Sequence, residues 1–257
     1  MIAAERHGRI IDALRAAPFV QSEQLAASLG VSLETIRRDL GRLEDQGQLT
    51  RVRGGAGRIV LTSAEANHAE RSQLALPQKS AMAAAAVALL RPGMTVVIDV
   101  GTSCSLMART IPLDWTGRIV TCSLPAALAL ADHPGVEVLL TGGHLRPGDL
   151  ALSNTQTVSF LRDVHSDLAF LGSGGLHARA GLTDYWVDEI QARRVVLENA
   201  SRCYVLADSS KHGQIAPFSV CRLNELTGVI TDRIQDRALA AALRRADVRV
   251  MTGPTRS

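Results

Sequence analysis

The first 45 residues place apolar side chains at helical spacing. Residues Ala3 to Ala16 put Ile10, Ile11 and Leu14 on one side, as an amphipathic helix does, and Pro18 ends it because a proline disfavours a helical residue ahead of it. Ser22 and Glu23 offer a cap and first turn for a short second helix, with Leu25, Ala26 and Leu29 inward and Gly30 at its end. Ser32 then caps a third helix from Leu33, in which Leu33, Ile36, Leu40 and Leu43 form one apolar stripe. At about 100° per residue the opposite face carries Glu34, Thr35, Arg38, Gly41 and Arg42, with Arg37 and Asp39 on the flanks. Two short helices joined by a glycine-containing turn predict a helix-turn-helix.

Downstream the period changes. Leu49 to Arg53 reads as a strand, Gly54 and Gly55 as a turn, and Arg58 to Leu61 as a second strand. A hairpin bearing Arg51, Arg53 and Arg58 directly after such a helix pair has the place of a wing. Thr62 to Pro77 loses periodicity and reads as a linker. A helix from Ser80 to Leu90 then opens an alternation of helices with apolar strands at Thr95–Val100, Arg118–Cys122, Val136–Leu140, Leu168–Leu171, Cys203–Ala207, Gly228–Ile230 and Val248–Val250. The intervening helices begin at Gly101, at Leu124, near Thr155, at Val187 and at Gln235. Continuous apolar strands separated by helices predict an α/β domain with a mostly parallel sheet buried on both faces. The expected division is 1–61 for the winged helix-turn-helix, 62–78 for the linker and 79–257 for the α/β domain.

Composition refines this picture little. The chain has 257 residues, 46% hydrophobic and 21% charged, with a net charge of +3, too small to argue for nucleic acid by itself. Residues 1–60 hold 9 Lys and Arg against 7 Asp and Glu, and the remainder 19 against 18, so a local cationic face matters more than the total. Cys104, Cys122, Cys203 and Cys221 form no C-x-x-C pair, which gives no support to a zinc site or redox motif and predicts buried reduced thiols. With no long uncharged apolar run and an amphipathic first helix in place of a signal sequence, a cytoplasmic protein without metal, cofactor or membrane association is expected.

In a parallel sheet, ligands bind beyond the carboxyl ends of the strands, and four loops there are rich in Gly, Ser, Thr and charge. Asp99-Val-Gly101-Thr102-Ser103 places a glycine and two hydroxyls at a helix N-terminus, which favours an anion. Thr121-Cys-Ser123 and Thr141-Gly142-Gly143-His-Leu-Arg146 are the next two. The fourth is composite: Gly172-Ser-Gly174-Gly175, Gly181-Leu-Thr183, Glu189, Arg193 and Ala207-Asp-Ser-Ser-Lys211. A lysine following D-S-S at a strand end is placed to neutralise a phosphate. Taken singly each loop reads as ordinary capped turns; together they mark a cleft.

The run V-S-x-x-T-I-R-R-D-L-x-x-L-E-x-x-G-x-L-x-R-V-x-G-G-A, from Val31 to Ala56, closely resembles the winged helix-turn-helix of the DeoR family of bacterial transcription regulators. It departs at Arg53, where these proteins usually carry His. Residues 3–250 are similar to that family as a whole, whose effector domain shares the fold of ribose-5-phosphate isomerase and CoA transferases. The resemblance implies that Ser32, Thr35, Arg37, Arg38, Arg42, Arg51 and Arg53 meet double-stranded operator DNA. It implies that Asp99, Gly101, Thr102, Ser103, Gly142, Gly143, Arg146, Gly174, Gly175, Glu189 and Lys211 line the cleft, with Ser123 in a neighbouring loop. Ser123 stands where the family commonly has Asn, and Asn154 where it commonly has Gly. Arg71 and Lys79 match an arginine and a lysine on the approach to that domain, and as residues read equally well as surface charges.

The expected function is a sugar-phosphate-responsive transcription factor, a repressor, acting as a homo-oligomer. An enzymatic alternative would use Asp99, Asp208, Glu189 and Lys211 for acid–base chemistry on a sugar phosphate. Against it stand an N-terminal module that an isomerase does not need and a Gly172–Gly175 segment without a carboxylate. A third possibility, a DNA-binding protein whose larger domain only oligomerises, leaves the polar loop cluster without a role.

Overall fold

The computed structural model describes residues 2–16, 19–45, 48–52, 54–58 and 68–253, and the chain divides into two compact units, Met1–Leu61 and Thr62–Ser257.

In the first unit the order is α1 (Ala3–Ala16), β1 (Phe19–Gln21), α2 (Ser22–Leu29), α3 (Leu33–Asp45), β2 (Leu49–Val52) and β3 (Gly55–Arg58). Ile10 and Leu14 of α1, Leu25 of α2 and the stripe Ile36, Leu40 and Leu43 of α3 close on Leu49 and Ala56 of the hairpin, each large aliphatic side chain contributing about 1.5–3 kcal/mol of burial. Ser32 caps α3 as expected, its Oγ accepting from Thr35 N at 3.1 Å. Ser22 is the first helical residue of α2 and Gln21 its N-cap, one residue earlier than expected. The hairpin also differs. Val52 pairs with Gly55, so β3 begins three residues before the strand expected at Arg58, and residues 59–61 of that expected strand lie outside the described residues. β1 was not expected from the pattern; it pairs antiparallel with β3 and completes a three-stranded sheet.

The second unit runs α4 (His68–Gln73), α5 (Leu76–Val87), β4 (Thr95–Ile98), α6 (Thr102–Thr110), β5 (Gly117–Thr121), α7 (Leu124–Leu130), β6 (Val136–Leu140), β7 (His144–Leu145), β8 (Leu152–Ser153), α8 (Thr155–Arg162), β9 (Leu168–Leu171), β10 (Gly175–His177), β11 (Gly181–Asp184), α9 (Val187–Asn199), β12 (Cys203–Leu206), β13 (Phe218–Cys221), β14 (Gly228–Thr231), α10 (Arg237–Arg245) and β15 (Arg249–Thr252). Seven strands form a sheet in the order β15-β14-β12-β9-β4-β5-β6, every pair parallel. Alternate residues feed two cores: Val96, Ile98, Phe170 and Tyr204 face α5 and α6, while Val97, Ala169, Leu171 and Val205 face α9 and α10. Two smaller antiparallel sheets, β10-β11-β13 and β7-β8, interrupt the alternation. The stretch read as a linker holds α4 and the first turn of α5.

The strand order decides where a ligand can enter. From β4 the chain winds outward through β5 to β6, then returns to β9 on the other side of β4. The carboxyl ends of β4 and β9 therefore diverge at a topological switch point, which opens a crevice there.

Candidate DNA-binding face and effector cavity

On the first unit, Ser32, Arg37, Arg38, Arg42 and Arg51 are exposed and Thr35 is half-buried. Arg51 of the hairpin reaches across to α3, where its Nη1 lies 3.8 Å from the point a Cβ on Gly41 would occupy. A shallow groove between α3 and the hairpin is lined by Arg37 and Arg51 with Ser22, Glu23, Gly54 and Gly55. Arg53 lies outside the described residues. Asp39 corrects the expected flank: it is buried, paired with Arg6 Nε and with His7 Nε2, the latter 3.0 Å from its Oδ1. The reason is angular, since Asp39 sits only about 60° from Ile36 around the helix and so meets α1. Burial pushes its carboxyl up, yet hydrogen bonds from Arg6 and His7 outweigh that and leave it below its ordinary value.

The second unit holds an open cleft. Its lining collects the loop after β4 (Val100, Gly101, Thr102, Ser103), the loop after β9 (Gly172, Ser173) and the loop after β12 (Asp208, Ser210, Lys211). Asp184, Glu189 and Arg193 form another wall, Asp149 enters from the β7–β8 arm, and Arg71, Leu74, Ala75 and Lys79 come from α4 and α5. Gly101 takes φ 112° and so turns the chain directly from β4 into α6, leaving the first amides of that helix facing the cleft. Gly172 is needed for closeness: a Cβ there would stand 2.6 Å from Val100 O.

Behind the cleft lies a buried charge network. Arg193 is 3% exposed; its Nε donates to Asp99 Oδ2 at 2.6 Å, its Nη2 lies 3.1 Å from Glu189 Oε2, and Nη1 pairs with Asp184. Burial works against the guanidinium's charge, but Asp184 and Asp99 outweigh it and raise the pKa above the ordinary arginine value. Asp99 Oδ2 also accepts from Gly172 N at 3.0 Å, which ties the ends of β4 and β9 together. Glu189 pairs in turn with Arg146, whose Nε bonds both oxygens of Asp149 at 3.0 Å and whose guanidinium lies 4.1 Å from the centre of the Trp186 ring. Lys79 is buried and its Nζ donates to Arg71 O. Burial lowers the lysine's pKa, the Asp208 carboxylate opposes the fall, and Arg71 and Lys211 add to it.

Of the expected cleft residues, Gly101, Thr102, Ser103, Glu189 and Lys211 line the cavity, and Asp99 and Arg146 hold its walls. Ser123, Gly142, Gly143, Gly174 and Gly175 are not among the lining residues. Ser123 caps α7, accepting from Ala126 N at 3.3 Å, and Asn154 caps α8, accepting from Gln156 N at 2.8 Å. Gly142 O accepts from Thr157 Oγ1 at 2.8 Å and Gly143 packs on the same threonine, while Gly174 lies on the β11 backbone and Gly175 on Gln214. Ser173 and Ser210 stand in the Gly172–Gly175 and Ala207–Lys211 loops read from the sequence, whereas Asp149 and Asp184 were not anticipated. Asp149 lies on the short β7–β8 arm and Asp184 ends the antiparallel strand β11, neither of which carries a clear period.

All four cysteines are free and buried. Burial foremost pushes the thiols of Cys122 and Cys221 up to about 12 and raises Cys104 and Cys203 as well, so they remain protonated and unreactive. Among the described residues no helix is long and apolar enough to cross a membrane.

The family model described as "DeoR C terminal sensor domain" matches residues 75–233, and that described as "DeoR-like helix-turn-helix domain" matches residues 6–61. The chain is similar to the HTH-type transcriptional regulator GlpR of Haloferax volcanii, 35% identical over 256 residues that cover 100% of both chains. It is also similar to the glycerol-3-phosphate regulon repressor of Haemophilus influenzae, 32% identical over 87% of this chain and 86% of that one. Among solved structures, ribose-5-phosphate isomerase A of Methanocaldococcus jannaschii overlays 52% of this chain and 53% of its own, at 20% identity and a TM-score of 0.38.

Proposed function

Because this chain belongs to the DeoR family of transcription regulators, we propose that it represses a carbohydrate-metabolism operon and that a phosphorylated sugar in the sensor-domain cleft sets its hold on operator DNA. It is a regulator and not an enzyme, as the family is, so Asp99, Asp208, Glu189 and Lys211 serve binding and architecture. The observation that carries the reading is how the cleft is lined: Lys79, Lys211 and the opening turn of α6 suit a phosphate dianion, and Asp184 and Glu189 suit sugar hydroxyls. Ser32, Thr35, Arg37, Arg38 and Arg42 enter the major groove, and Arg51 with Arg53 supports them from the wing. The name of the Haemophilus relative, a glycerol-3-phosphate regulon repressor, favours a small phosphorylated polyol or sugar. Copies of the chain act together on double-stranded DNA in the cytoplasm.

The test is a thermal-shift screen against phosphorylated sugars and their unphosphorylated parents, since a ligand that binds only the folded state raises its melting temperature. One phosphorylated compound should stabilise the protein and alter operator affinity in fluorescence anisotropy, while its parent does neither. Lys211→Ala should lose that response and keep ligand-free operator affinity. Equal responses in the two proteins, or a response to the parent sugar alone, would refute the phosphate site.

A further inference from the structure

The short helix α4 is held in an unusual way. None of its residues is fully buried. At its N-terminal end His68 N donates to Gly148 O at 3.1 Å, on the arm beside the cavity residue Asp149. At its C-terminal end Arg71 O accepts from Leu74 N at 3.3 Å and from the buried Lys79 Nζ. Between α4 and α5, Ala75 sits at φ 53°, a left-handed conformation that costs a non-glycine residue free energy. These two ties of α4 are polar, both adjoin cavity-lining residues, and Ala75 beside them is strained.

Arg71, Lys79 and Lys211 line the cavity together, where Asp208 supports the charge of Lys79 and Arg71 and Lys211 oppose it. A dianion placed among them adds an attractive partner for each of the three, one of which is on α4 itself. We propose that α4 is a strap over the effector cavity which a bound phosphate locks in place, Arg71 and Lys79 being the residues that convert ligand binding into a change at the start of the sensor domain. This rests on the phosphate reading of the cleft given above. The strap follows the DNA-binding unit in the chain, so locking it alters the segment through which that unit is attached. Arg71 and Lys79 then bind the effector and also report it, whereas Lys211 and the α6 N-terminus only bind.

Hydrogen exchange on the full chain tests this, with inorganic phosphate as the probe and sodium chloride at matched ionic strength as the control. Amides of residues 68–73 should gain protection several-fold with phosphate, together with a rise in melting temperature. Arg71→Ala should show a smaller phosphate-induced rise, carried by Lys211 and the α6 N-terminus, and no protection gain in α4. A rise in melting temperature with unchanged α4 exchange in the wild type overturns the strap and leaves the phosphate site standing; that comparison needs no variant. If phosphate changes neither quantity relative to chloride, the strap and the phosphate site fall together.

Discussion

His177 shows how a single buried side chain makes stability depend on pH. It lies in β10 at 9% exposure, and its Nδ1 accepts from the amides of Arg179 and Ala180, each at 3.2 Å, which requires that nitrogen to be unprotonated. Burial lowers its pKa from the ordinary histidine value, Asp236 works the other way and Arg179 adds to the fall. Its folded pKa is thus below the unfolded value of about 6.5, and the unfolded chain binds the proton first as the pH drops. The contribution is whole above about 6.5 and is lost as pH falls toward the folded pKa. Urea midpoints of the wild type should decline between pH 7.5 and 5.5, values chosen at roughly one unit either side of that pKa. His177→Asn, whose side-chain oxygen can accept the same amides, should flatten the decline. Some slope will remain, because burial also lowers the pKa of His212. An unchanged slope in the variant would show that His177 is not a source of it.

α3 works as an element with two faces. Its apolar stripe anchors it to α1 and α2, its Arg37, Arg38 and Arg42 are exposed, and the salt bridge to α1 is made by Asp39. Asp39 and Arg38 are neighbours in sequence with opposite surroundings, one buried and one exposed. Replacing Arg38 with Ala should leave the fold intact by circular dichroism and weaken operator binding by about 1–3 kcal/mol if it contacts guanine bidentately. The loss should be smaller on non-specific DNA, where only its charge counts. A gel-shift titration giving wild-type operator affinity would remove Arg38 from the interface.

At the scale of the whole molecule, operator recognition is expected to use more than one copy. A single winged helix covers little DNA, and regulators that use such modules read paired half-sites. The chain should therefore bind an operator of two half-sites as a dimer or larger assembly, with the sensor domain supplying the contact between copies. Sedimentation of the free protein and of its DNA complex at micromolar concentration checks this; monomer alone in both samples would contradict it.

Much of this architecture was legible in the order of the residues, and the reason is geometric. The inner strands β4, β9, β12 and β14 appear as apolar runs because they are buried on both faces, the edge strands β6 and β15 are apolar runs that stay partly exposed, and α3 declares itself by period because one stripe is buried and the other is wet. Capping residues and Gly101 gave the helix starts for the same local reason. The family motif added what no period contains, the identity of the DNA-binding module. What stayed hidden depends on partners distant in sequence. β1 exists because Phe19–Gln21 meets the hairpin at Gly55–Gly57, and β10, β11 and β13 pair across loops with runs too short to show alternation. Ser123, Gly142, Gly143, Gly174 and Gly175 have the composition of ligand loops but stand beside the cavity's lining, because cap geometry and close backbone packing call for the same small polar residues as a binding site. Conversely Asp149, Asp184, Arg193 and Lys79 come together only when β9 returns beside β4 and α5 brings Lys79 to the cleft. Local pattern reports which side of an element is buried; which charges meet across a crevice is set by strand order, and that exists only in the folded chain.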